Sequence, residues 1–207
     1  MNQTLMKEKG AKNFYDIPEI KKKLSGIEPV RGAFELAYRD VQRTLRGIGK
    51  NPNNKKIKEE IFEIVVENFY KSYAENIQHY SIQDFDGVHA GRCSAIIKVA
   101  EKYGFNQLHF GQAQQIVNMF FKYIALVDDR LNLHLNYLHV ALNNTTLNGM
   151  KGLFNQTKIA ELTDRCKPWS KLEDWEAYYE IQKTLREQVS CPIMIDYNNW
   201  EKWKLNN

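Results

Sequence analysis

A chain of 207 residues is long enough to bury one large core, and 43% apolar with 26% charged residues excludes an intrinsically disordered chain. The net charge of +4 permits an anionic partner but is too mild to prove one. Cys93, Cys166 and Cys191 have no paired spacing, no window reaches the roughly 18 apolar residues of a membrane span, and no apolar run follows the first lysines. These features exclude a disulfide framework, a spanning helix and a signal peptide, and they lead us to expect a cytoplasmic protein with no membrane partner.

The first thirty residues are polar and interrupted by Gly10, Pro18, Gly26 and Pro29. They predict a loosely attached N-terminal arm, 1–30, with a short helix over 17–24, followed by one helical domain, 31–207. In 31–47, Phe34, Ala37, Tyr38, Val41 and Leu45 recur at spacings of three and four, which predicts a helix stopped by Gly47 and Gly49. A loop at 51–54 (NPNN) leads to the longest predicted helix, 55–79, with Ile57, Ile61, Ile64, Val65, Phe69 and Tyr73 as its apolar stripe. Asp84 or Asp86 is placed to cap the next helix, which ends at Gly104. A central helix covers about 109–127, and a shorter, partly alternating helix follows through Leu131–Leu138.

Short helices are predicted near 144–150 and 156–162. Ser170 and Glu173 form a capping-box signature for a last long helix at about 171–190. Pro192 ends it, 189–195 reads as extended, and YNNWEKWK as one final turn. There is no internal repeat and no βαβ rhythm. The expected fold is all-α, a single-domain helical bundle of about six to eight helices.

The central stretch carries the chemistry. Gln112, Gln114, Gln115 and Asn118 lie among Ala113, Ile116, Val117, Met119, Phe120 and Phe121, and Lys122 and Tyr123 follow. Amides so close to an apolar face are costly unless partnered, so they point to a polar network or a binding site. Arg39, Arg43 and Arg46 fall at i, i+4 and i+7, which places them on one face of the 31–47 helix. Arginine's planar fork matches phosphate oxygens, although a charge run is more commonly a solvated face. Asp86, His89 and Cys93 share a face, but no second Cys/His cluster accompanies them. Asp86 and His89 read more simply as a hydrogen-bonded pair near a helix start. No metal and no cofactor is assigned. The chain has no GxxxxGK[ST], GxGxxG or GxSxG motif, so nucleotide hydrolysis and serine-nucleophile chemistry have no support.

The order FGQAQQ-x2-NM-x2-KY, then LHVALN, then PWSKL and a final Trp resembles a group of bacterial and phage-borne helical proteins. The resemblance covers roughly 105–200 and carries no activity. It implies a protein encoded by a phage or mobile element. A more distant likeness is to the helix-hairpin-helix DNA glycosylases, in which a lysine precedes a proline-flanked catalytic aspartate. Here Gln115 stands where that lysine would, Asn143 where the aspartate would and Ala141 where the proline would. An amide cannot act as the carboxylate such chemistry needs, so the likeness implies a lost catalytic group. Asp128 and Asp129, beside Arg130, read as a solvated turn rather than a substitute.

The expected function is therefore a non-catalytic binding protein for nucleic acid or a phosphate-bearing nucleotide. Its candidate ligand-binding residues are Arg39, Arg43, Arg46, Gln114, Gln115, Asn118, Lys122 and Asn143, with Tyr38, Tyr123, Trp169 and Trp175 able to stack on bases. The alternatives are a protein that binds or inhibits a protein partner and, further off, a glycosylase-like enzyme.

Overall fold

The computed structural model describes residues 2–153 and 158–205, which form helices and connecting turns with no strand among them. Helices α1 (Lys9–Tyr15) and α2 (Pro18–Leu24) lie in the segment expected to be a loose arm. That segment is instead part of the core. Leu5, Ala11, Phe14, Tyr15, Ile20 and Leu24 are buried, and the Asn2 amide donates to Leu126 O at 2.7 Å. The prolines that suggested breaks are helix starters. Pro18 and Pro29 each sit in a first turn, where the missing N–H has no intrahelical partner to lose.

Helix α3 (Pro29–Gln42) buries Phe34, Ala37, Tyr38 and Val41 as predicted but ends five residues early. Thr44 Oγ1 donates to Val41 O at 2.7 Å, and Gly47 takes a left-handed φ of 88°. Arg43 and Arg46 therefore leave the helix and sit in the turn beyond it. The long second helix begins as α4 (Asn54–Phe62), widens to i→i+5 winding over Glu63–Lys71, and closes as α5 (Ser72–Glu75). The wider winding keeps Val65, Val66, Phe69, Tyr70, Tyr73 and Ala74 all inward.

Helix α6 (Ile82–Lys102) is capped by Ser81, not by either aspartate. Ser81 Oγ accepts from the Asp84 amide at 3.1 Å, and Asp84 accepts from the Ser81 amide at 3.0 Å. Helix α7 (Phe110–Ala125) is the axis of the molecule, with every residue from Gly111 to Ala125 buried, and it packs on α3 and α6. Only a 3-10 turn, Asp129–His134, forms in the next predicted helix. Asp128, which caps this turn, is no solvated position. Its side chain is 10% exposed and accepts from the Tyr70 hydroxyl at 2.5 Å and from Arg130.

Helices α8 (Asn144–Leu153), α9 (Lys158–Arg165) and α10 (Trp175–Gln188) enclose a second, smaller apolar cluster. The expected start of the helix near 156–162 lies partly outside the described residues. Asp174, not Ser170, caps α10, accepting from the Ala177 amide at 2.9 Å, while Trp169–Lys171 forms a separate 3-10 turn. The tail is a full helix, α11 (Ile193–Leu205), where an extended piece and a single turn were expected. It packs on both α1 and α8 and so joins the two ends of the chain. The described residues thus hold eleven α-helices rather than six to eight, because the arm, the tail and the divided second helix add to the count. No helix among them is long and apolar enough to cross a membrane.

Candidate functional site

The amides of α7 serve two different places. Gln114 faces the extended segment His139–Leu142, which has no sheet partner for its backbone. Gln114 Nε2 donates to Leu142 O at 3.0 Å, and Gln114 Oε1 accepts from the Leu142 amide at 3.2 Å. Gln182 of α10 treats Val140 the same way, at 2.9 Å in both directions. Side-chain amides thus replace a neighbouring strand.

Asn118 continues this network. Its Nδ2 donates to Gln114 Oε1 at 2.9 Å and to the Tyr178 hydroxyl at 2.8 Å, and its Oδ1 lies 2.9 Å from His89 Nε2. Tyr178 also meets His139 Nδ1 at 2.8 Å, and His139 Nε2 meets Asp86 Oδ1 at 2.7 Å. Arg186 holds the same carboxylate at 2.6 and 2.9 Å. These partners require His89 and His139 to donate from Nε2, which suits neutral rings. Burial pushes both histidines below their usual value, His139 to about 4. Burial raises the Asp86 carboxyl, but hydrogen bonds from His139 and Arg186 outweigh it and hold the group well below the carboxylate range. The expected Asp86–His89 pair is therefore replaced by partners from other helices, because both side chains point inward toward different neighbours. No group of three His, Cys, Asp or Glu able to hold a metal occurs among the described residues.

One position along α7, the environment changes. Gln115, Met119, Lys122 and Tyr123 line a cavity of ≈ 670 Å³ between the two apolar clusters. Phe14 and Ile20 close it from α1 and α2, Arg39 and Asp40 from α3, and Asn143 to Thr145 from the start of α8. Lys122 is 3% exposed and donates to Asp196 Oδ1 of α11 at 2.9 Å, with its ammonium 4.2 Å from the centre of the Phe14 ring. Asp40 accepts from the Tyr123 hydroxyl at 2.6 Å; burial raises the Asp40 carboxyl and this bond lowers it, leaving it above its usual value. Asn143 caps α8, its Oδ1 accepting from the Thr146 amide at 3.0 Å.

A second cavity of ≈ 560 Å³ adjoins the first through Arg43, Thr44 and Ser170, which line both. Arg46, Gln107, His109, Gln112 and Lys171 complete it, and none of its lining residues is a carboxylate. Arg43 and Arg46 have no ion-pair partner among the described residues. Arg31, Arg39, Arg130, Arg165 and Arg186, by contrast, each hold a carboxylate, with Glu19 serving Arg39. The wall carrying Ser170 and Lys171 is fixed by Gly111. Its amide donates to Leu172 O at 3.0 Å, and a Cβ there would fall 1.7 Å from Trp169 O.

Of the eight expected ligand-binding residues, Arg39, Arg43, Arg46, Gln115, Lys122 and Asn143 line these cavities. Gln114 and Asn118 do not, being engaged by the extended segment and the histidine network. Tyr38 is buried in the core and Trp175 lies exposed elsewhere, whereas Tyr123 and Trp169 are in the wall. Sequence reading missed Asp40, Thr44, Ser170, Lys171 and Asp196. Only Ser170 and Lys171 had a signal, the WSK segment that recurs with FGQAQQ, and these two pieces meet at Gly111. No family model, no curated protein and no solved structure matches the chain.

Proposed function

We propose that the protein is a non-catalytic binding protein for a phosphate-bearing nucleotide, free or within a strand. The observation that carries this reading is the second cavity, where Arg43, Arg46 and Lys171 meet with no lining carboxylate. Three like charges in one concavity repel one another, and an anion relieves that repulsion. Phosphate suits the site because two guanidinium forks and the Thr44 and Ser170 hydroxyls can all donate to its oxygens. Asn143 supports the non-catalytic part, since its amide oxygen is engaged in capping α8 and supplies no carboxylate.

The test is a nucleoside 5′-monophosphate titrated over a series of salt concentrations. Affinity should fall steeply with salt in the natural protein, and weakly in Arg43→Ala/Arg46→Ala/Lys171→Ala. The same salt dependence in both proteins would remove this cavity from the site.

A further inference from the structure

A phosphate explains the cationic cavity but not the floor of the larger one beside it. Two oxygens there, Gln115 Oε1 and Asp196 Oδ2, are buried without a hydrogen-bond partner, each on a residue only 5% exposed. An unpaired buried acceptor is costly, so two in one cavity mark where a ligand's donors belong. Lys122 lines the same floor. Asp196 Oδ1 takes one of its three N–H groups, so the ammonium can also serve an acceptor on a ligand. The floor therefore offers two acceptors and one cationic donor.

We infer that the larger cavity takes a guanine base whose phosphate lies in the adjoining cationic cavity, an inference that rests on the phosphate reading above. Guanine alone among the common bases presents two neighbouring donor positions, the N1–H and the 2-amino group, beside the O6 acceptor. Adenine and cytosine each bring a single amino group to that edge, and uracil a single ring N–H. Lys122 matches O6, while Asp196 Oδ2 and Gln115 Oε1 match the two donors. The carboxylate acceptor makes its bond a strong one.

Aromatic faces are also in place. Trp169 lines the wall, and Phe14 and Tyr123 stack with ring centres 5.4 Å apart. Arg43, Thr44 and Ser170 line both cavities, so one ligand can span them.

Calorimetric titration of the full chain with GMP, IMP, AMP, CMP and UMP at low salt tests this. GMP should bind tightest. IMP keeps O6 and N1–H but lacks the amino group, and should bind about tenfold more weakly, with the other three weaker still. Gln115→Met and Asp196→Asn should each shrink the preference for GMP. Asp196 also holds Lys122, so Gln115→Met, which leaves that ion pair alone, keeps the test open if Asp196→Asn fails to fold. A preference for GMP undiminished in Gln115→Met would overturn the floor assignment. Equal binding of all five, or a preference for AMP, CMP or UMP, would overturn the guanine inference while leaving the phosphate reading intact. Binding of none would overturn both.

Discussion

Gln114 and Gln115 are adjacent in sequence and opposite in consequence. The first closes a two-bond ring with Leu142, and the second carries a buried oxygen with no partner. Gln114→Leu should cost roughly 1–3 kcal/mol, because both Leu142 backbone groups lose their partner. Gln115→Leu should cost less, or stabilise, because it removes an unsatisfied acceptor. Urea unfolding compares the two directly, and equal losses would contradict this division. That both amides sit in an apolar setting was legible from composition and spacing. Which of them faces a cavity was not, since one residue along a helix changes the face and only the packed neighbours fix its meaning.

The histidine network gives a residue-scale pH dependence. His89 and His139 are depressed in the folded state, so the unfolded chain binds protons first as pH falls below about 6.5. Stability is therefore greatest above that value and declines toward about 4, the folded value of His139. His139 alone should remove on the order of 2 kcal/mol by pH 5. Asp86, held low, adds a further loss below the ordinary aspartate value of 3.8. The thermal midpoint should fall between pH 7 and pH 5, and a flat or rising profile would contradict the buried neutral pair.

At the scale of elements, α7 and the Trp169–Lys171 turn act as one unit because Gly111 lets their backbones touch. A Cβ at 111 meets a carbonyl rather than a flexible side chain, so the turn itself must move. Gly111→Ala should cost about 3 kcal/mol by overpacking and should weaken nucleotide binding as well, since Ser170 and Lys171 line the cationic cavity. Loss of stability with affinity unchanged would show that this turn is not part of the site. The apolar stripes of α3, α6 and α7 were readable because their periodicity follows from burial of one face. The end of α3 at Gln42 was not, because Leu45 continues the stripe while already in the turn. The wider winding of Glu63–Lys71 likewise leaves no mark in a pattern of threes and fours.

At the scale of the whole molecule, the site exists because the chain's ends come together. Phe14 of α1, Asp40 of α3, Lys122 of α7, Asn143 before α8, Trp169 and Asp196 of α11 share one cavity across most of the sequence. No local pattern announces such an assembly, and the polar first thirty residues argued against it. The arginines were nevertheless legible as a group, even though two of them lie beyond the helix that suggested their common face.

The central claim is that the ligand's phosphate is held by Arg43, Arg46 and Lys171. The most direct measurement compares GMP with guanosine, each bound to the natural protein and to the triple alanine variant. The natural protein should favour GMP by at least about tenfold, and the variant should bind the two nearly alike with its guanosine affinity unchanged. An equal preference for GMP in both proteins would contradict the claim and place the phosphate elsewhere.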